Sequence, residues 1–240
     1  MSYHADLFGR LSEDGLKETF DWMADRYHSQ TVRVSQSRYP SWMNQVITLV
    51  QSWRPRSIAD VGCGPGYLLQ QLHQRFPDTA IKGVDYSSAM LRHIPAGIST
   101  ECCPLLDWAK TSSERFDVVL LTFVLRDQPD PQTVLTVIKN RVAPHGHLVV
   151  LETQTPTGWR KWGFDLYFHA WLPWWASHVL TKDWTGPRHL APYRRLADSH
   201  RAWMQARVLP NALVAADYAD IRPHRPATDV VMLWSAVAAY

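Results

Sequence analysis

Apolar and polar positions change rhythm near residue 56. In DLFGRLSEDGLKETFDWMADRYHSQ, residues 6–30, apolar positions recur at mixed spacings of three and four, which predicts a helix. SRYPSWMNQVITLVQSW, 37–53, predicts a second helix, with Pro40 and Ser41 at its start. From Arg56 to about Thr155, short apolar runs alternate with helical stretches. Strands are expected at 57–61, 80–85, 99–103, 116–124 and 147–154, with a turn at 144–146. Helices are expected at 67–76, from Ser87 onward, and at 130–142, where Asp130 caps and Pro131 opens the first turn. Such alternation builds βαβ units and a parallel sheet covered on both faces. Residues 156–205 are helix-forming, aromatic and broken by prolines. The tail predicts two strands, 218–223 and 228–237, paired as a hairpin at the sheet edge.

The expected fold is therefore α/β: Rossmann-like, doubly wound, with a mainly parallel seven-stranded sheet, a C-terminal antiparallel hairpin and a helical lid. Residues 1–55 form a helical cap. Residues 56–240 form the main domain, with a lid insertion at about 156–205. A chain of 240 residues fits one such domain with a subdomain. Its 46% apolar and 20% charged residues fit a globular protein, and a net charge of +3 does not call for a nucleic-acid partner. Three cysteines, two of them adjacent at Cys102 and Cys103, cannot make a disulfide framework, so a reducing, cytoplasmic setting is expected. The first fifteen residues carry charges where a secretory signal would need an apolar stretch. No apolar run approaches the ~20 residues that span a bilayer, so at most surface contact with a membrane is expected. The histidines lack metal-ligand spacing such as HExxH, and no metal is expected.

The first strand runs into Asp60-Val61-Gly62-Cys63-Gly64-Pro65-Gly66, and a helix follows at once. Glycines at alternate positions let the backbone turn sharply and approach a ligand closely. Asp85 falls at the end of the second strand, where a carboxylate can accept from ribose hydroxyls. The spacing is GxGxG, not the GxGxxG of dinucleotide sites. An acid followed by GxGxG is the form used for S-adenosylmethionine.

These residues resemble the class I S-adenosylmethionine-dependent methyltransferases, most closely the C-methyltransferases of ubiquinone and menaquinone biosynthesis. FDWMADRYH (20–28) is similar to that family's N-terminal Phe-x-x-hydrophobic-Ala-x-x-Tyr entry. ADVGCGPG and GVDYSSAML match its cofactor segments, FDVVLLTFVLRDQPD its fourth-strand segment, and RVAPHGHLVVLETQTP its fifth. YRRLADS echoes a later helix. The resemblance implies that Gly62, Gly64 and Gly66 line the cofactor and Asp60 reaches its ammonium. It implies that Asp85 holds the ribose, Tyr86 and Met90 flank the adenine, and Asp107, with Trp108 beside it, accepts from the adenine amino group. Thr122 and Phe123 would face the methyl. Arg126 would orient or polarise a ring oxygen, and Asp127, which replaces an asparagine, would position Arg126 or act as base. His169 is a further candidate base near neutral pH.

Of the 12 tryptophans, seven lie between Trp159 and Trp203. Three readings are open: aromatic walls around a hydrophobic, aromatic or prenylated substrate, an interfacial helix resting on a bilayer, or core packing with a homodimer contact. The function expected is methyl transfer to a small hydrophobic acceptor, on carbon or oxygen. Two alternatives keep the cofactor: a non-methylating rearrangement or cyclisation, and a silent cofactor- or membrane-binding subunit.

Overall fold

The computed structural model describes residues 13–187, 191–206, 209–225 and 228–239. Its centre is a seven-stranded sheet in the order β3-β2-β1-β4-β5-β7-β6. The strands are β1 (Ser57–Val61), β2 (Ala80–Asp85), β3 (Ser99–Cys102), β4 (Phe116–Thr122), β5 (Val142–Thr153), β6 (Tyr218–His224) and β7 (Val231–Ala238). The first five pair in parallel; β7 is antiparallel to β5, and β6 to β7. The expected fold class and hairpin are both present. Chain order reverses between β1 and β4, so their carboxyl ends flank the crevice where open α/β sheets bind ligands.

Strand alternation builds the two faces of the core. In β4, Val119 and Leu121 point to one face and Val118 and Leu120 to the other; in β5, Leu148 and Val150 oppose Val149 and Leu151. The first face is covered by α6 (Leu105–Thr111), α7 (Pro131–Ile138) and α11 (Leu209–Ala215). The second is covered by α3 (Tyr39–Gln51) and α4 (Tyr67–Arg75).

Several boundaries differ from the sequence expectation. The first twelve residues lie outside the described ones. The remainder of the first expected helix is α1 (Glu13–Met23) and α2 (Tyr27–Val34), joined by a 3₁₀ turn at Ala24–Arg26. The helix after Ser87 is a single turn, α5 (Ser88–Leu91), capped by the Ser87 hydroxyl, which accepts from Met90 N at 3.1 Å. The 144–146 turn does not precede β5 but bulges within it: Val142 pairs with Phe116, and pairing resumes at His147 with Val118. Helices α6 and α11 are too short for their periodicity to stand out. After β3 the chain turns at Pro104, which opens α6.

Above the carboxyl ends of the strands, the N-terminal helices pack against the segment that follows β5. That segment holds α8 (Arg160–Leu166), a π turn (Tyr167–Trp171), α9 (Leu172–Val179) and α10 (Pro192–Ala206). Met23, Met90, Leu172, Ala176 and Tyr193 bury together there. Tyr193 Oη donates to Gln30 Oε1 at 2.8 Å, and Tyr167 Oη donates to Val34 O at 2.9 Å. The π turn has a local cause. Pro173 has no N–H for the carbonyl of His169, and Arg201 Nη2 donates to that oxygen instead, at 3.3 Å.

Candidate active site

The loop between β1 and α4 is tied to the end of β2. Gly62 N and Cys63 N both donate to Val84 O, at 2.7 and 3.0 Å. Gly64 N donates to Asp85 Oδ2 at 2.8 Å, and Asp85 Oδ1 accepts from Ser87 N at 2.9 Å. Gly62, Gly64 and Gly66 all take positive φ, at 76°, 54° and 79°. A Cβ on Gly66 would lie 2.5 Å from Ile94 Cγ1. At Gly64 it would meet nothing nearer than Tyr27 Cε1 at 4.0 Å, so the backbone there faces open space. A chain that keeps this space clear can bring a ligand against the main chain.

Asp60 is fully buried in β1, and neither of its oxygens has a hydrogen-bond partner among the described residues. Burial, followed by the nearby charge of Asp85, pushes its pKa up to about 7. Burial also raises Asp85, against the backbone N–H groups of Ser87 and Gly64 that stabilise its ionised form. Two buried carboxylates behind an open loop suit a ligand that brings hydroxyls and an ammonium. Asp60 and Asp85 thus fit S-adenosylmethionine on observed geometry.

A cavity of about 310 Å3 opens in front of this loop. Gly62, Gly64, Asp85, Tyr86, Met90, Thr122 and Phe123 line it, together with Cys103, Pro104, Leu105 and Leu106. A second cavity, of about 640 Å3, lies beneath α8 and α10; aromatic side chains such as Tyr39, Phe164 and Phe168 line it together with polar and charged ones that include Arg126, Asp127 and Arg195. Phe20, Tyr27, Phe123 and Asp127 line both. Phe123 sits at φ 57°, a left-handed conformation costly for a bulky residue, just where β4 ends between the cavities.

Behind the larger cavity lies a buried ion pair. Arg126 Nη1 donates to Glu152 Oε1 at 2.6 Å, and Arg126 N to Oε2 at 3.3 Å. Thr153 N completes the carboxylate's shell at 2.7 Å. Arg126 Nη2 stands 3.6 Å from Asp127 Oδ2. Burial works against the guanidinium's charge, but Glu152 and Asp127 outweigh it and raise the pKa of Arg126.

Most of the expected site residues converge here, but some do not. Asp60 and Gly66 lie behind the cavity wall rather than in it. Asp107 is exposed on α6 and lines neither cavity, and Trp108 is fully buried in the core against Phe116. The turn at Pro104 is the cause: it starts a helix two residues after β3 and carries Asp107 away, leaving Cys103 and Pro104 at the cavity. His169 lines neither cavity. Its ring lies among Phe164, Phe168 and His200, and burial, then Arg201, lowers its pKa. Phe20, Tyr27, Glu152 and Arg195 were not singled out as site residues. Phe20 and Tyr27 are the first and last residues of the entry motif, so the signal for them was present. Glu152 and Arg195 had none, because their partners are distant in sequence.

A model of the ubiE/COQ5 methyltransferase family matches residues 9–237. The chain is similar to the demethylmenaquinone methyltransferase of Bacteroides fragilis, 26% identical over 254 residues that cover 98% of this chain and 99% of the relative. It is also similar to that of Lactococcus lactis subsp. lactis, 27% identical over 173 residues that cover 68% and 69%. Among solved structures, the plantazolicin methyltransferase BpumL, in complex with a triazolic desmethylPZN analog and SAH, has a TM-score of 0.62 at 11% identity over 95% of this chain and 97% of its own. Human N-acetylserotonin methyltransferase, in complex with SAM, has a TM-score of 0.56 at 14% identity over 88% and 55%. These structural likenesses show the shared fold. Together with the family match across nearly the whole sequence, they make the chain an S-adenosylmethionine-dependent methyltransferase that belongs to the ubiE/COQ5 methyltransferase family.

Proposed function

We propose that the enzyme methylates a ring carbon or oxygen of a small hydrophobic acceptor, aromatic or quinone-like. The observation that carries this reading is the meeting of two cavities at Phe20, Tyr27, Phe123 and Asp127, one fronting the glycine loop and the other apolar and aromatic. The names of the two bacterial relatives point to the same acceptor class. When bound, S-adenosylmethionine supplies an electrophilic methyl on a positively charged sulfur. The chain's own residues hold, orient and dry the site. Gly64 and Asp85 give the cofactor its backbone and carboxylate contacts, with Tyr86 and Met90 against it. Tyr27 and Phe123 exclude water at the junction. Arg126, locked by Glu152, keeps Nε available to the acceptor's oxygen. Asp127 stands where a proton leaving the acceptor is received. Alignment of this kind contributes up to about 7–11 kcal/mol in well-oriented systems.

A second observation extends the reading to a membrane surface. Trp159, Trp162, Leu166 and Trp174 are 82%, 83%, 69% and 61% exposed. Trp159, Arg160 and Gly163 also line the larger cavity, so the exposed aromatic face adjoins its mouth. Indole favours the bilayer interface, and Arg160 and Lys161 suit anionic headgroups. An apolar acceptor dissolved in lipid would enter there. The three free cysteines support a reducing, cytoplasmic side for this contact. Among the described residues no helix is long and apolar enough to cross a membrane, so the contact is peripheral.

Three outcomes test these readings. Incubation with methyl-labelled cofactor and a naphthohydroquinone should place label in the product. Arg126→Ala alone should destabilise the protein by roughly 3–5 kcal/mol in denaturant melts, because it strands the buried Glu152. Adding Glu152→Gln should restore most of that stability but not the transfer of label. Unchanged transfer in the double variant would remove Arg126 from the chemistry. The second outcome concerns pH. Asp60 is protonated below about pH 7 and ionised above it. A ligand ammonium favours the ionised form, so affinity for S-adenosylhomocysteine should fall as pH drops through 7, with proton release on binding. Calorimetry in two buffers measures both, and Asp60→Asn should flatten the dependence. Third, the protein should co-sediment with anionic vesicles, and Trp162→Asp with Trp174→Asp should abolish this. Self-association without vesicle binding would instead mark the face as a contact between copies.

A further inference from the structure

Arg195, on α10, is only 3% exposed, yet none of its three guanidinium nitrogens has a hydrogen-bond partner among the described residues. It lines the larger cavity, and no carboxylate among the described residues lies within ion-pair distance of it. Arg126 Nε and Tyr86 Oη are also buried without partners. Arg126 faces the same cavity, and Tyr86 lines the adjoining one. Asp127 and Tyr86 act on the Arg195 charge through space, as does Arg126, so the four groups are neighbours. The buried unpartnered atoms of this cluster can all donate, and its one cavity-lining carboxylate, Asp127, stands 3.6 Å from Arg126 Nη2. Glu152, the acceptor nearest to Arg126, is engaged by Arg126 and Thr153.

A buried guanidinium with no protein acceptor costs several kcal/mol, a cost that an oxygen acceptor entering the cavity offsets and that an anion offsets most. A guanidinium carries five N–H donors in a planar fork, which matches the two oxygens of a carboxylate better than the one oxygen of a phenolate. We propose that Arg195 is the receptor for a carboxylate carried by the acceptor substrate, so that the enzyme methylates a hydrophobic acid rather than a neutral ring alone. This deepens the proposed methyl transfer and rests on it. The aromatic walls take the ring, and Arg195 fixes the end of the molecule that bears the charge. Arg126 remains for the reacting oxygen.

The test uses the full chain and three probes of one shape: 2-naphthoate, 2-naphthol and 2-naphthylmethanol, titrated by tryptophan fluorescence in the presence of S-adenosylhomocysteine. Wild type should bind the naphthoate at least roughly tenfold more tightly than either neutral probe. Arg195→Met should remove that preference while leaving the alcohol's affinity within about threefold, and Arg195→Lys should restore part of it. Equal affinity for the three probes in wild type, a naphthoate preference that survives Arg195→Met, or tightest binding by the naphthol at a pH where it ionises would each overturn the carboxylate assignment. S-adenosylhomocysteine binding separates the two levels. If it binds and the naphthoate shows no dependence on Arg195, only this inference fails. If it does not bind, the methyl-transfer reading fails first.

Discussion

The carboxylate of Asp85 holds the site together by accepting the N–H of Gly64 across 2.8 Å. Parallel neighbours make the contact available: β1 and β2 pair from Ser57↔Ala80 to Val61↔Val84, so the loop after one strand lies over the end of the other. The loop can reach only with its glycines in left-handed conformations. In return, a buried carboxylate gains backbone donors on both oxygens, from Gly64 and from Ser87, which offset its loss of water. The same bond aims the open side of Gly64 at the smaller cavity. Asp60 lies behind it, buried without a hydrogen-bond partner among the described residues and raised by burial and then by the Asp85 charge. Two buried carboxylates at the ends of neighbouring strands favour a ligand that carries positive charge.

The larger cavity carries charges of both signs. Arg126 is paired with Glu152 and stands 3.6 Å from Asp127, whereas Arg195 has no direct ion-pair contact among the described residues and feels Asp127 only through space. The two cavities thus differ in their unpartnered buried groups, carboxylate oxygens of Asp60 by the glycine loop and guanidinium nitrogens of Arg195 beneath α8 and α10. The cavities meet at Phe20, Tyr27, Phe123 and Asp127, where three aromatic rings lower the local dielectric around one carboxylate.

Legibility in the sequence followed the range of each interaction. The strands of the parallel sheet are continuous apolar runs, and the glycine loop and its acid are punctuated by local chemistry, so both could be read directly. Asp85 could be placed because a strand has a known length and the loop must meet its end. Asp107 could not. One proline after β3 converts an expected strand continuation into a helix and rotates that carboxylate to solvent. His169 was read as a candidate base from its type alone, while its surroundings of Phe164, Phe168 and His200 come from α8, the π turn and α10. Glu152 and Arg195 were invisible for the same reason: each is significant only through what does or does not stand opposite it. The tryptophans were legible as unusual, but which are exposed, as Trp159, Trp162 and Trp174 are, and which pack, as Trp203 does, is set by tertiary contacts that a local reading lacks.

The most direct measurement is calorimetric titration of S-adenosylhomocysteine into wild type and Asp85→Ala at pH 8, where Asp60 is ionised. The account predicts binding to wild type and roughly a tenfold to hundredfold loss in the variant, since both the ligand's hydroxyls and the Gly64 N–H lose their acceptor. Equal affinity in the two proteins would contradict it.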